Sequence, residues 1–167
     1  MSEPKTNGDL LECERLMRGH RAGILTTLGA DGHFHSRPMA LPQHLSAKEL
    51  WFATSADSTK VHDLEAEPQC ALALHGGGSD ATYVSLSGVG EVVRDPATLR
   101  EKWEPGWRPY FPDGPGAKEL VLIRFRPEHI EYVHPTTGRL HVLYTRAKQL
   151  LTRTREPPAP KRELDLQ

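Results

Sequence analysis

Gly23-Ile24-Leu25-Thr26-Thr27-Leu28-Gly29-Ala30-Asp31-Gly32-His33-Phe34-His35-Ser36-Arg37-Pro38-Met39-Ala40-Leu41 reads as two strands folded back on each other. Gly23 to Leu28 is a β-rich run, Asp31-Gly32 is a hairpin turn signal, and His33 to Leu41 is the return strand. Pro38 lacks the N–H that a ladder needs, so the return strand is an edge strand or carries a bulge. Its open backbone groups, beside Arg37, are available to a ligand.

The same alternation continues outward. Leu50 to Thr54, Gln69 to His75, Ala81 to Arg94, Leu120 to Arg126 and His129 to Val133 read as strands. Gly88 and Gly90 share one face of the longest and mark a bend or a close backbone approach. Helices are fewer. Asp9 and Glu12 form a capping-box pattern ahead of Leu10, Cys13, Leu16, Met17 and His20. Asp57 or Ser58 caps a short helix that ends before Pro68. Asp95-Pro96 opens a helix that ends near Trp103, and Leu140, Leu143, Ala147, Leu150 and Leu151 form a helical stripe. Most strand connections are too short for a parallel crossover. The expected fold for these seven runs is a mainly β, α+β domain built on a six-stranded antiparallel barrel with helices at its rims.

The chain has 167 residues, 21 Lys and Arg against 22 Asp and Glu, and a formal net charge of −1. That balance excludes a nucleic-acid coat and a polyacidic solvating chain. One domain is expected over residues 9–155, between a disordered N-terminus at 1–8 and a disordered tail at 156–167. No apolar run is long enough to span a membrane and no signal peptide is visible, so a cytoplasmic protein is expected. Cys13 and Cys70 suit a reduced compartment better than a disulfide.

Thr54-Ser55-Ala56-Asp57-Ser58-Thr59-Lys60 carries the most chemistry. It sets several hydroxyls at a helix start, where unpaired N–H groups favour an anion. Lys60 falls in the first turn, where a cation opposes the helix dipole. A phosphate held by Ser55, Ser58 and Lys60 resolves that conflict; an ordinary cap with a solvated lysine is the plain alternative. Arg37 can reach the same phosphate or pair with a carboxylate. Trp103, Trp107, Tyr110 and Phe111 lie in a Pro-rich loop and can stack on a planar ring, or form a satellite core or subunit contact.

Other signals fail. Gly76 to Ala81 fits a loose dinucleotide fingerprint but leads into a strand, not a helix. His33 and His35 share a strand face without supporting ligands, so no metal is expected. The basic C-terminal end, from Arg139 to Arg162, reads as a solvated helix face, and nucleic acid is not expected as a partner.

Several segments in order resemble a known family: Gly23 to Thr27, Ser36 to Met39, Leu50 to Ser55, Ser58 to Val61, Tyr83 to Gly88, Trp103 to Pro105, Tyr110 to Gly114 and Leu120 to Arg124. Together, over about residues 9–150, they are similar to the general stress protein 26 branch of the pyridoxamine 5′-phosphate oxidase-like flavoproteins. The resemblance implies a Greek-key split β-barrel binding flavin mononucleotide (FMN) at a homodimer interface. It implies a phosphate loop at Thr54, Ser55, Ser58, Thr59 and Lys60, with Arg37 nearby. Arg37, Pro38, Met39 and Ala40 would flank the flavin ring, and Trp103 and Tyr110 would approach it from either subunit. Where Tyr110 stands, the family usually has tryptophan. Arg139-Leu140-His141 matches only part of the C-terminal substrate segment of true pyridoxamine phosphate oxidases, so vitamin B6 oxidation is not expected. The implied function is a flavin-dependent oxidoreductase with a small-molecule redox partner and no assigned catalytic residue. A non-catalytic flavin-sequestering stress protein and the same barrel holding deazaflavin or haem are the alternatives.

Overall fold

The computed structural model of the chain describes residues 7–76, 82–133 and 161–165. Three helices, α1 (Asn7–Met17), α2 (Thr59–Ala66) and α3 (Pro96–Glu101), accompany the strands β1 (Ala22–Leu28), β2 (Phe34–Ala40), β3 (Leu50–Ser55), β4 (Gln69–His75), β5 (Tyr83–Val93), β6 (Leu120–Val133) and β7 (Lys161–Asp165). One antiparallel sheet runs in the order β2-β1-β4-β5-β6-β3, and β7 also pairs with β6. This curled sheet, with a few helices, is the six-strand path expected from the sequence.

The hairpin closes as expected. Gly32 takes a positive φ of 79° in the turn, and Leu28 pairs with Phe34 at its mouth. Pro38 sits opposite Ile24 in β2, which is the terminal strand of the path. An edge is where a residue without an N–H costs the ladder nothing.

Alternation fixes the inner face. Leu25 of β1, Leu72 and Leu74 of β4, Val84 and Leu86 of β5, Leu50 and Phe52 of β3, and Phe125, Ile130 and Tyr132 of β6 form one buried cluster. Cys13, Leu16 and Met17 of α1 join it. Their i, i+3, i+4 spacing makes one helix face, and burying a side chain such as Leu16 contributes about 1.5–3 kcal/mol. Across the sheet, Leu99, Trp107, Phe111, Ala117, Leu120 and Leu122 form a second cluster. The start of β6 is therefore covered on both faces, which explains the unbroken run Leu120-Val121-Leu122-Ile123.

The structure departs from sequence expectation in four places. Leu120–Arg126 and His129–Val133 are one strand, not two: Pro127 is absorbed where the β5–β6 register shifts at Ser87/Gly88. A bulge tolerates the missing N–H of proline. Helix α1 already includes Asn7, so Asp9 lies inside it and not ahead of it, and Arg15 donates back to Glu12 at 2.7–2.8 Å. The proline-rich segment contains two short 3-10 turns, Pro105–Trp107 and Gly114–Gly116. Residues 161–165, expected to lack order, pair with β6 from His129 to Val133, continuing the flank that β3 occupies lower down. The helical stripe 140–151 and the Thr136-Thr137-Gly138 turn lie outside the described residues.

Gly88 faces the bulge, and a Cβ there would stand 2.1 Å from the Arg126 carbonyl oxygen and 2.9 Å from the Pro127 Cα. These are backbone atoms and cannot rotate away. Gly88→Ala is expected to destabilise the fold by about 3 kcal/mol, the upper end for overpacking. Gly32→Asn, in open space with a conformation asparagine tolerates, should cost about 1 kcal/mol or less. Urea midpoints of the two variants at equal slope check the contrast.

Candidate functional site

Because β2 and β3 end the sheet path, each lacks a partner strand on one side among the described residues. A cleft of about 290 Å³ lies along them. Pro38, Met39 and Ala40 form its β2 wall, and Ala53, Thr54 and Ser55 its β3 wall. Lys60 of α2 and the rings of Trp107, Tyr110 and Phe111 complete it.

The polar end is built from the β3–α2 turn. Ser58 caps α2 with extended backbone, φ −76° and ψ 144°, but its side chain makes no capping bond. Its hydroxyl lies 3.3 Å from that of Thr54, which accepts a 2.8 Å hydrogen bond from Lys60 Nζ. Burial pushes the Lys60 ammonium below its ordinary pKa, and the Arg37 charge adds to that push. No carboxylate among the described residues pairs with Lys60, and the first turn of α2 holds no acid. The end of the cleft therefore keeps a half-buried positive charge with only a neutral hydroxyl as partner.

Arg37 takes a different course. Its Nη1 donates to the Thr27 hydroxyl at 2.6 Å and its Nη2 to Asp63 Oδ2 at 3.4 Å. Asp63 is buried on α2 and also accepts from Thr27 Oγ1 at 2.7 Å; His35 Nδ1 lies 3.0 Å away. Burial alone raises the Asp63 carboxyl, but the bonds from Thr27 and His35 and the charges of His35 and Arg37 outweigh it and hold it below the usual value. The bond to Asp63 and the charges of Asp63 and Asp31 raise the His35 imidazole above its ordinary pKa.

The aromatic wall is pinned by a second buried acid. Glu104 accepts the backbone N–H groups of Gln43 at 2.8 Å and His44 at 3.2 Å. It ties the aromatic segment to the loop that follows β2. Trp107 and Phe111 are buried in the second cluster, whereas Tyr110 is 71% exposed. Trp103 packs edge-on against Trp107, with centroids 5.9 Å apart at 83°.

Of the residues singled out from the sequence, Pro38, Met39, Ala40, Thr54, Ser55, Lys60 and Tyr110 line the cleft. Ser58 and Thr59 stand at the start of α2 beside it, and Arg37 is turned toward Asp63. Trp103 sits behind Trp107 as a support. Ala53, Trp107 and Phe111 complete the lining; the last two belong to the ring-rich loop, and only packing tells which of its rings face inward. Asp63 and Glu104 were missed. The one available signal for Asp63 is its place three residues after Lys60, on the same helix face.

Pyridoxamine 5′-phosphate oxidase like is the family description whose model matches residues 10–157 of the chain. No protein of curated function matches in sequence. The general stress protein 26 of Bacillus anthracis str. Sterne is 27% identical, with a TM-score of 0.61 over 72% of this chain and 91% of that one. A pyridoxamine 5′-phosphate oxidase-related, FMN binding protein of Nostoc punctiforme PCC 73102 shares the fold at 16% identity, with a TM-score of 0.56 over 83% and 89% of the two chains. A haem binding protein of Mycobacterium smegmatis does so at 16% identity and a TM-score of 0.61, over 83% of this chain and 57% of that one. Among the described residues no helix is long and apolar enough to cross a membrane.

The His35–Asp63 contact predicts a pH effect on stability. The folded pKa of His35 is raised, so its contribution is complete below the ordinary value of 6.5 and is lost as pH rises through the folded value. Urea midpoints of wild type and His35→Gln should therefore differ most near pH 5.5 and converge by pH 9.

Proposed function

Since the chain belongs to the pyridoxamine 5′-phosphate oxidase-like family, we propose that it binds FMN in the cleft between β2 and β3 and acts as a flavin-dependent oxidoreductase. The observation that carries this reading is Lys60, half-buried, bonded among the described residues only to the Thr54 hydroxyl and close enough to Arg37 to feel its charge. Two cations and the hydroxyls of Ser55 and Ser58 at a helix start are a donor set for a phosphate dianion.

The rest of the cleft suits a flat, mostly apolar ring. Pro38, Met39 and Ala40 offer a strand edge that is unpaired among the described residues, and Trp107, Tyr110 and Phe111 offer ring faces and edges. At about 290 Å³ the cleft is near the lower limit of ligand sites, about 300 Å³. Bound flavin would supply the hydride or electron chemistry; the chain's part is to hold the phosphate, orient the ring and exclude water from one face. No side chain is assigned as acid or base.

A homodimer is part of the proposal. Tyr110 is 71% exposed beside the cleft, and Phe34 at the start of β2 is 75% exposed. A second copy would cover such rings and close the cleft. The buried, unpaired thiols of Cys13 and Cys70 are each pushed up to about 12, chiefly by desolvation. They suit a reducing cytoplasm without requiring redox work of their own.

Stripped protein titrated with FMN should quench flavin fluorescence saturably at one site per chain. Lys60→Ala combined with Ser58→Ala removes one charged and one neutral phosphate donor, worth about 1.5–3 and about 1 kcal/mol. FMN affinity should fall on the order of 100-fold while riboflavin, which lacks the phosphate, is little affected. Unchanged FMN affinity in the double variant refutes the phosphate assignment, and a haem spectrum in freshly purified protein refutes the choice of flavin.

A further inference from the structure

We propose that Asp63 is a positioning residue of the phosphate end: it aims the Arg37 guanidinium, and His35 controls how much of the Arg37 charge remains for the ligand. This rests on the reading of Arg37 and Lys60 as phosphate ligands.

The geometry is that of one oxygen shared three ways. Asp63 Oδ2 lies 2.7 Å from the Thr27 hydroxyl, 3.0 Å from His35 Nδ1 and 3.4 Å from Arg37 Nη2. Thr27, itself buried, accepts from Arg37 Nη1 at 2.6 Å. The guanidinium is thus held at both Nη atoms by groups on β1 and α2, while its own residue belongs to β2. Asp63 is 5% exposed, and a carboxylate so placed must stay paired. Arg37 and His35 compete to pair it. The imidazole is nearer. When His35 carries a proton, it answers the Asp63 charge and leaves the arginine charge to an anion in the cleft. When His35 is neutral, Arg37 alone must answer Asp63, and the anion meets a weaker field.

The surroundings do not mask this exchange. Asp31, in the β1–β2 turn, stands 3.5 Å from His35 Nε2 and 3.4 Å from His33 Nδ1, and its charge assists protonation of His35. From α2 come Lys60 and Asp63 itself, with His62 exposed. Strand β1 contributes the neutral Thr27, and β5 meets α2 through the uncharged Gly90 against Leu64. The direction of the two titrations agrees: Asp63 is held low and His35 high.

The experiment compares FMN with riboflavin by fluorescence quenching on the full chain, using wild type, Arg37→Ala, Asp63→Asn, the Arg37→Ala/Asp63→Asn double variant and His35→Gln. Asp63→Asn frees the Arg37 charge but releases the guanidinium from its aim, and the lost aim is expected to win: the preference for FMN should fall about tenfold with riboflavin affinity unchanged, whereas a rise would show that Asp63 only neutralises Arg37 and overturns the proposal. The double variant should lose no more than Arg37→Ala alone. The ratio of wild-type to His35→Gln preference should fall at least threefold from pH 5.5 to pH 9. Taking that ratio cancels the second ionisation of the phosphate itself, near pH 6. Equal losses for both flavins would make Asp63 merely structural, and additive losses in the double variant would uncouple it from Arg37; either overturns the proposal. If Asp63→Asn does not fold, the His35→Gln arm decides, and a flat ratio overturns it. An Arg37→Ala variant that keeps the full FMN preference overturns the phosphate reading itself, and the proposal with it.

Discussion

An antiparallel sheet whose path does not close must end in two unpaired edges, and the rest of this molecule is arranged around that constraint. Among the described residues the edges here are β2 and β3. An exposed edge invites pairing with another strand. Pro38 blunts β2 by withholding an N–H, and the turn into α2 ends β3. The space along them becomes a cleft with backbone on two sides, rings on a third and a helix start at one end. Each of these features has a separate structural reason, and together they make a site that is apolar along its length and cationic at one end.

The cationic end is stable only because its charges are treated unequally. Arg37 is compensated: Asp63, His35 and Thr27 form a partly buried network around it. Lys60 has a hydroxyl instead of an acid. If both cations had carboxylate partners, an anionic ligand would have to break ion pairs to bind. If neither had one, two adjacent half-buried cations would repel each other in the free protein. One compensated and one uncompensated cation hold the arginine in place and leave a net attraction for an anion.

Alternation, the Asp31-Gly32 turn and the short connections made the barrel legible, because each depends on local backbone chemistry. The Asp95 cap was legible for the same reason: its carboxylate accepts from the Thr98 N–H at 2.9 Å. The cationic end was legible because Lys60 falls in the first turn of a helix, where a cation opposes the dipole. Asp63 was hidden because its meaning comes from β1 and β2, which lie 26 to 36 positions earlier in the chain. Glu104 was hidden likewise, since its donors are backbone groups about 60 residues away. Pro127 misled because proline usually breaks a strand, and only the facing Gly88 makes the bulge possible. Of the aromatic segment, composition tells that the rings are pinned; only packing tells that Trp107 and Phe111 face inward and Trp103 braces them.

That last distinction affects how the ring end can work. Trp107 and Phe111 are anchored in the second cluster, and Glu104 fixes the start of their segment to the loop after β2. The anchoring fixes two rings of the cleft wall relative to β2 before any ligand arrives, so little ordering entropy remains to be lost there on binding. Tyr110 has no such anchor and is mostly exposed. A ring stacked only on Tyr110 would remain open to water. The division between fixed inner rings and one open ring therefore makes the outer face of the cleft the side where a second copy of the chain, in the proposed dimer, would have most to add.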